Sequence, residues 1–357
     1  MDMLVDKKNL AALSFKAAPP AADRPLNDGE ISLNIDKFAL TANNLTYAVF
    51  GDAMNYWNFF PGPEGQGRVP VWGFATVAKS RHPQVTEGQR FYGFLPIAAS
   101  VVMRPDRVNA HGFTDAMPAR KGGAHAFYNN YMLTSADPAY DRAHEEYQAL
   151  FRPLFTTSFL IADWLTSNNY FGANAVILTS ASSKTAWCTA ALLHPRKDAE
   201  IVGLTSAANT GFVQALDVYD RDIAYGHEAM LHPNPSVYVD MAGNAAVRAS
   251  VHRTLGANLV KSVVVGGTHW TKGGPPADLP GPKPEFFFAP SHVETRIAEW
   301  GPAGFQSRLA EAWGRVLPKI QEQVHVRTGS GEKDVARVWA ALIGGTVNPA
   351  DGHILSL

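Results

Sequence analysis

The stretch 175–190 carries the residues whose types and spacing point most directly to chemistry. An apolar run ends at Leu178 in a cluster of small hydroxyl residues with one lysine, and an alanine-rich segment follows. This pattern predicts a strand, a tight turn and a helix whose first N–H groups face an anion. The sequence therefore predicts a phosphate-binding turn. Its residues are Ser182, Ser183, Lys184 and Thr185.

The predicted turn departs from the glycine-rich fingerprint that usually holds a dinucleotide. Ser183, Lys184 and Ala186 stand roughly where the glycines belong, and glycine lets the backbone approach a pyrophosphate closely. The Ser-Lys-Thr run also matches the end of a Walker A loop, but that motif needs glycines at Leu178 and Ser183, so we reject it. Two interpretations remain: a nucleotide site, and a turn that has lost binding. Lys184 favours the first, because it puts a cation where phosphates would lie.

The end of the next predicted strand selects between cofactors. An acidic residue at this point usually accepts a hydrogen bond from the adenosine ribose of NAD. Thr205 and Ser206 are neutral hydroxyl residues instead, so nothing repels a 2′-phosphate and NADP is favoured over NAD. Asn209, shortly after this strand, and Gly266, at the end of a later strand, complete the predicted cofactor-binding set.

Candidate catalytic residues are fewer. His269 follows the turn after the strand at 260–266, and it is the best acid or base because such sheets bind ligands at the carboxyl ends of their strands. An ordinary exposed loop histidine is the alternative. Tyr128 belongs to a Tyr- and Asn-rich stretch, interpreted as either a lid or surface packing. The aromatic cluster at 56–60 either lines a pocket or belongs to the core.

Composition narrows the function class. The chain has 357 residues, 46% of them hydrophobic and 18% charged, as in ordinary globular proteins with room for two domains. A formal net charge of −1 gives no electrostatic reason to expect nucleic acid or an anionic membrane as partner. No apolar run is long enough to span a membrane, so we expect a cytoplasmic protein. The single cysteine, Cys188, excludes an intrachain disulfide and a Cys-rich zinc site.

The elements that must position these residues fall into two patterns. The first hundred residues contain β-type runs at 69–80 and 89–97, and Ile31, Leu33 and Ile35 alternate along one strand face. From residue 158 onwards helices and strands alternate, which predicts an α/β domain with a doubly wound parallel sheet. The predicted helices are 158–169, 185–193, 209–216 and 244–255, and the strands are 175–179, 200–205, 236–240 and 260–266. A helix near 139–150, a strand at 285–289 and a helix at 303–322 are also predicted.

Several stretches, taken in order, resemble the medium-chain dehydrogenase/reductase superfamily, in its zinc-free, quinone-oxidoreductase-like form. The run Phe38–Asp52 more narrowly resembles a bacterial branch labelled only as a domain of unknown function. The matching stretches are Gly29-Glu-Ile-Ser-Leu, Gly88-Gln-Arg-Phe-Tyr-Gly93, Phe151–Leu165, Ser206-Ala-Ala-Asn-Thr-Gly and Val237-Tyr-Val-Asp-Met-Ala-Gly. The resemblance implies a GroES-like β-rich domain and a Rossmann domain. It implies that the GroES-like domain covers 1–150, with an insertion at 111–150, and that the Rossmann domain covers 151–290. The chain then returns to the GroES-like domain at 291–357.

The resemblance also bears on the metal and on the catalytic groups. Zinc-using members have Gly-His-Glu where this chain has Gly73-Phe74-Ala75. They also have a cysteine near the position that Asn43 occupies in this chain. Three protein ligands for a catalytic zinc are therefore missing, and we predict no metal. Zinc-free members carry polar residues facing the nicotinamide at the positions of Asn43, Asn44 and Tyr47, and among these we predict Asn44 and Tyr47 as catalytic.

Together these features predict a zinc-independent NADP(H)-dependent oxidoreductase that acts on a small carbonyl, enone or quinone compound. The alternative is a non-redox lyase, hydratase or isomerase that uses the interdomain cleft of this fold with a degenerate cofactor site. A non-catalytic binding or assembly protein is a third possibility. The resemblance further implies a homodimer, because zinc-free members pair edge to edge through the sheets of their nucleotide domains. The strand predicted at 285–289, with three consecutive phenylalanines, lies where that edge would be, and a free edge of this kind would favour aggregation. The alternative is that helices of the same domain cover this strand and the 271–284 loop caps its edge.

Overall fold

The computed structural model describes residues 1–117, 126–265 and 278–357. The chain forms two compact units: Met1–Leu150 with His325–Leu357, and Phe151–Val324. The sequence sets the second boundary at residue 290, whereas here one helix runs through that point, over Ala289–Gln323, and the chain returns to the first unit at His325.

The described residues form the following elements. The strands are β1 (Asp2–Asp6), β2 (Asn9–Lys16), β3 (Ile31–Leu40), β4 (Gln66–Gly67), β5 (Pro70–Ser80), β6 (Arg90–Pro96), β7 (Ser100–Met103), β8 (Pro105–Asn109), β9 (Gly112–Asp115), β10 (Asn130–Leu133), β11 (Ala175–Thr179), β12 (Glu200–Thr205), β13 (Arg221–Ala224), β14 (Ser236–Asp240), β15 (Leu259–Val264), β16 (Glu285–Phe286), β17 (His325–Ser330) and β18 (Asp351–Ser356). The helices are α1 (Ala42–Val49), α2 (Glu145–Ser167), α3 (Lys184–Leu193), α4 (Thr210–Leu216), α5 (Ala245–Leu255), α6 (Ala289–Gln323) and α7 (Gly331–Ile343).

The first unit is built on a nine-stranded sheet. Its order is β17-β18-β3-β5-β6-β10-β9-β8, with β7 paired to β3. A separate three-stranded sheet has the order β2-β1-β4. The predicted strands at 69–80 and 89–97 are confirmed as β5 and β6, which pair antiparallel. Ile31, Leu33 and Ile35 are all buried, because alternate residues of a strand share one face.

The second unit is a parallel sheet whose strands alternate with helices along the chain. The six strands lie in the order β13-β12-β11-β14-β15-β16, and every neighbouring pair is parallel. All five residues of β11 are buried, as expected for a central strand of a parallel sheet. The predicted strands 175–179, 200–205 and 236–240 are confirmed, while β13 has no counterpart in the sequence analysis.

Three helical or strand predictions are wrong in detail. The helices predicted at 139–150 and 158–169 form one helix, α2, which contains Pro153. Just after this proline, the hydroxyls of Thr156, Thr157 and Ser158 donate hydrogen bonds to backbone carbonyls one turn earlier. The strand predicted at 285–289 ends at Phe286, because α6 begins at Ala289. The helix predicted at 303–322 is confirmed as the part of α6 that follows Gly301, whose φ of 72° interrupts the helix. α1 has no counterpart in the sequence analysis.

Among the described helices, none combines the length and the apolar character that a membrane span requires.

Candidate functional site

The predicted strand, turn and helix are confirmed in the second unit. β11 ends at Thr179, and Ser180 takes the left-handed conformation with φ 53°, which lets the chain reverse tightly before α3. The side chain of Ser183 caps α3 and accepts a hydrogen bond from the N–H of Ala186 at 3.3 Å. The first N–H groups of α3 thus lie at a helix N-terminus, where the helix dipole favours an anion.

A glycine outside the turn allows the turn to pack on the neighbouring strand. Gly203 lies on β12, and a Cβ at this position would come within 2.9 Å of the Ala181 Cβ and 3.0 Å of a ring carbon of Tyr219. Contacts this short do not occur between real side chains, so a larger residue would push the turn away from β12. The turn itself contains no glycine, but Gly203 on β12 allows the turn to approach that strand closely.

Three polar side chains from the segment after β12 hold the turn. The Tyr225 hydroxyl accepts a hydrogen bond from the Ser180 N–H at 2.8 Å. The Tyr219 hydroxyl donates to the Ala181 carbonyl at 2.9 Å, and Asn209 Nδ2 donates to Ser182 Oγ at 3.1 Å.

Sequence reasoning singled out Asn209 and missed both tyrosines. The two tyrosines flank β13, the strand that the sequence pattern did not reveal, so their position beside the turn could not be anticipated.

The remaining predicted cofactor residues lie around the same turn. The ammonium of Lys184 lies 5.7 Å from the centre of the Phe151 ring, a cation–π contact. The carbonyl of Thr185 accepts a hydrogen bond from Ser158 Oγ at 2.8 Å. Thr205 ends β12 and is buried, and Ser206 follows it. Two further predictions, Gly266 and His269, lie outside the described residues.

A buried carboxylate joins the carboxyl ends of β11 and β14. Asp240 Oδ1 accepts hydrogen bonds from Thr179 Oγ1 at 3.0 Å and from the N–H groups of Ala242 and Gly243 at 3.1 and 2.9 Å. Its Oδ2 accepts from Arg248 Nε at 2.9 Å. Asp240 is fully buried, so this network fixes the turn after β14 from inside the fold. Sequence reasoning treated the stretch only as a family match and assigned no role to either charged residue.

In the first unit, Asn43, Asn44 and Tyr47 lie on α1. Asn44 is buried and holds the start of the helix: its Oδ1 accepts from the Thr41 N–H at 2.7 Å, and its Nδ2 donates to the Pro70 carbonyl at 3.0 Å. The structure therefore gives Asn44, which the sequence analysis took as catalytic, a role in capping α1 and tying it to β5.

Tyr47 has an unusual set of partners. Its hydroxyl oxygen accepts hydrogen bonds from Asn43 Nδ2 at 2.6 Å and from Trp72 Nε1 at 3.1 Å. An indole N–H is a donor only, so these two contacts occupy the oxygen and leave the phenolic proton to be donated elsewhere. Within the described part of the chain no acceptor takes that proton. Burial raises the pKa of Tyr47 well above its ordinary range, and the nearby Tyr128 adds to this effect, so the hydroxyl stays protonated.

The rings around Tyr47 form one aromatic cluster. Tyr47 lies 4.8 Å from Tyr56 and 6.1 Å from Tyr128, measured between ring centres, and the hydroxyls of Tyr56 and Tyr128 are 3.3 Å apart. Tyr56, Trp57, Phe59 and Phe60 are all buried. Of the two interpretations of the cluster at 56–60, the ring contacts of Tyr56 and Phe59 favour core packing.

The described residues contain no group of three or more His, Cys, Asp and Glu side chains that could hold a metal ion. Cys188 is buried in α3, and burial raises the pKa of its thiol well above the ordinary range. The thiol is therefore a poor nucleophile, as expected for a small hydrophobic core residue.

Comparison by sequence identifies one family. Residues 38–348 match the family described as "Protein of unknown function (DUF2855)". None of the curated proteins matches the chain in sequence.

Comparison by structure finds many similar folds at low sequence identity. CurA in complex with NADPH from Vibrio vulnificus is 11% identical, with a TM-score of 0.62 over 99% of this chain and 98% of that chain. The yhdH oxidoreductase from Salmonella enterica in complex with NADP is 14% identical, with a TM-score of 0.56 over 100% and 99%. The quinone oxidoreductase from Coxiella burnetii is 11% identical, with a TM-score of 0.54 over 100% and 98%. These likenesses confirm the predicted fold class, a GroES-like β-rich domain with a Rossmann domain.

Proposed function

We propose that the chain, which belongs to the DUF2855 family, is a zinc-independent NADP(H)-dependent oxidoreductase that acts on a small carbonyl, enone or quinone compound. The observation that carries this proposal is the strand, turn and helix at β11 and α3, combined with the lack of an acidic residue at the end of β12. Several proteins of the same fold are NADP(H) complexes or quinone oxidoreductases, which supports the same reaction class.

The residues of the turn fit a dinucleotide phosphate. The lack of a side chain at Gly203 lets the turn pack closely on β12, and the N-terminus of α3 supplies N–H groups and a favourable dipole. Ser182, Ser183, Lys184 and Thr185 would hold the phosphates, with Thr205, Ser206 and Asn209 on the adenosine side. NADP(H), when bound, supplies the hydride; the chain supplies binding, orientation and proton donation.

Tyr47 is the proton or hydrogen-bond donor of this proposal. Its oxygen is occupied by Asn43 and Trp72, so its O–H is directed away from both and toward an acceptor such as a carbonyl oxygen. A neutral donor of this kind stabilises the negative charge that develops on the oxygen of a substrate during hydride transfer. Tyr128, whose hydroxyl lies beside that of Tyr56, is the second candidate in the same cluster.

A titration with NADPH and NADH tests the cofactor part of the proposal. We expect saturable binding of NADPH, tighter than that of NADH, measured by calorimetry or by the fluorescence of the reduced nicotinamide. Lys184→Glu puts a negative charge at the turn and should weaken NADPH binding about tenfold or more. Lys333→Glu, the same charge reversal on an exposed residue of α7, is the matched control and should have no effect.

The absence of binding to either nucleotide at millimolar concentration would contradict the proposal. Turnover of a substrate with no change in nicotinamide absorbance would instead favour the non-redox alternative, a lyase, hydratase or isomerase.

The homodimer remains part of the proposal. β16 lies at the edge of the parallel sheet of the second unit, and Phe286 on it is 63% exposed. An exposed apolar side chain on an edge strand favours pairing with a second edge. Light scattering at micromolar concentration should give twice the 38.7 kDa mass of the chain, and Phe286→Glu should shift the protein toward monomer. A wild-type mass of one chain would refute this part.

A further inference from the structure

A cavity of about 170 Å³ lies within the first unit, and neither Tyr47 nor the residues of the turn after β11 are among its described wall residues. Its walls come from β1, the end of β6, β7, the segments on either side of β4, and the segments before β3 and after β9. Six of the ten described wall residues are apolar, and the polar ones are Asp2, Arg24, Arg68 and Ser100. A small pocket with apolar walls and a few placed polar groups has the general form of a ligand site.

Arg24 is the distinctive residue of this cavity, because its positive charge has only neutral partners. Its Nε and Nη2 both donate to Ser100 Oγ, at 3.2 and 2.9 Å, and Ser100 is buried. The hydroxyl in turn donates to the Pro19 carbonyl at 3.4 Å. No carboxylate among the described residues pairs with Arg24. The guanidinium is thus held in a fixed direction, with its other N–H groups still able to donate.

The other charges of the cavity walls do not neutralise Arg24. Arg68 Nη2 pairs with Asp2 Oδ2 at 3.1 Å, and its Nη1 donates to the Pro61 carbonyl. Among the described wall residues, two guanidinium groups and one carboxylate leave one net positive charge. This charge favours an anionic ligand.

We propose that this cavity binds a small monocarboxylate with a compact apolar body, its carboxylate on Arg24. A planar guanidinium matches a carboxylate with paired hydrogen bonds, and Phe60, Pro96 and Val102 on the walls match an apolar body better than a bare inorganic anion. The site is independent of the proposed nucleotide turn, so binding here neither requires nor reports NADP(H).

Calorimetric titration of the full chain with 3-phenylpropanoate tests the proposal. We expect saturable binding, and binding of the uncharged 3-phenylpropanamide about tenfold weaker or more, because it lacks the charge-assisted hydrogen bonds. Arg24→Gln should weaken binding of the carboxylate by a similar factor. Arg81→Gln, which removes an exposed arginine paired with Asp28, is the matched control and should leave binding unchanged.

Two further measurements separate ligand binding from effects on folding. Val102→Trp fills the cavity from an apolar wall and should abolish binding while Arg24 keeps its charge; circular dichroism and thermal unfolding verify that each variant is folded. Inorganic phosphate should compete weakly with 3-phenylpropanoate. Equal binding of acid and amide, unchanged binding in Arg24→Gln, or binding of phosphate alone would overturn the proposal, as would no binding of the acid at about 10 mM, far weaker than a useful site.

Discussion

The buried ion pair Asp240–Arg248 allows a quantitative test of what stabilises the second unit at the carboxyl ends of its strands. Asp240→Asn keeps the shape of the side chain and its Oδ1, which accepts from Thr179 and from two backbone N–H groups. It replaces the oxygen that accepts from Arg248 Nε by an amide nitrogen, which cannot accept. The substitution therefore removes the ionic contact and leaves the rest of the network in place.

The expected cost follows from the burial of the two partners. The side chain of Asp240 is fully buried and that of Arg248 is 16% exposed. Breaking a buried ion pair costs about 3–5 kcal/mol, and the partial access of water to Arg248 places the cost near the lower limit, about 3 kcal/mol. Arg248→Met should cost about 2 kcal/mol, since the carboxylate keeps three neutral donors. In the double variant no unpaired charge remains, so we expect a coupling energy of about 2 kcal/mol.

Urea unfolding of the two single variants and the double variant measures this coupling energy, with hydrogen exchange of the β11 and β14 amides reporting on the second unit. The pair Arg196–Asp198 is a matched control: its N–O distance is also 2.9 Å, but its side chains are 52% and 45% exposed. For Arg196→Met and Asp198→Asn we expect a coupling energy below about 0.5 kcal/mol. Equal coupling energies for the buried and the exposed pair would refute the reasoning.

Three other results follow from the structure. Tyr47→Phe should lower kcat of NADPH-dependent quinone reduction about 100-fold with little change in NADPH affinity, since it removes the donating hydroxyl. It also removes the acceptor of Asn43 and Trp72, so circular dichroism checks that the variant is folded; unchanged kcat would exclude Tyr47 as donor. Burial lowers the pKa of His252 from 6.5, so the unfolded state binds a proton at higher pH than the folded state. The resulting stability is present above pH 6.5 and is lost as the pH falls through the folded pKa; His252→Gln should flatten the dependence of unfolding free energy on pH between about 7.5 and 5.5. Gly203→Ala should destabilise the second unit by about 1–3 kcal/mol, because its Cβ would meet Ala181 at 2.9 Å, and thermal unfolding measures the loss.

The sequence predicted the parts of the fold that depend on hydrophobic periodicity. The strands β11, β12 and β14 have apolar centres, Val176–Leu178, Ile201–Leu204 and Val237–Val239, as expected for buried parallel strands. β13 escaped prediction because it has only four residues, Arg221–Ala224, two charged ones followed by two apolar ones, and its pairing with β12 is a tertiary contact. The predicted strand at 285–289 was too long for a similar reason: Phe287 turns inward and stacks on His292 at 4.2 Å, which local pattern does not reveal.

Roles of single side chains were harder to predict than elements. Asn44 and Tyr47 lie three residues apart on α1 and looked equivalent as polar candidates. Asn44, however, caps the helix, whereas the hydroxyl oxygen of Tyr47 accepts two side-chain hydrogen bonds. The difference depends on Trp72 and Pro70, both on β5 and far away in the chain. Sequence reasoning also missed Asp240, because a single carboxylate at a strand end has no local signature until Arg248 is brought beside it.

The turn after β11 shows how a fingerprint can lose its glycines and keep its geometry. One role of glycine in a dinucleotide turn is to permit a tight reversal; here Ser180, which precedes the three expected glycine positions, takes the left-handed conformation, at a cost of about 1–2 kcal/mol, and the hydrogen bond from its N–H to Tyr225 offsets part of that cost. Another role is close packing of the helix, and Ala186, at the last of the three positions, is small enough to be fully buried there. The remaining role, close approach of the backbone to a pyrophosphate, has no substitute of equal size, since Ser183 carries a side chain. That side chain turns back to cap α3. We expect binding of NADPH to survive Ser183→Gly and to be lost in Lys184→Glu; failure of the wild type to bind, with binding gained in Ser183→Gly, would mean that the glycine at position 183 is the one that the turn cannot lose.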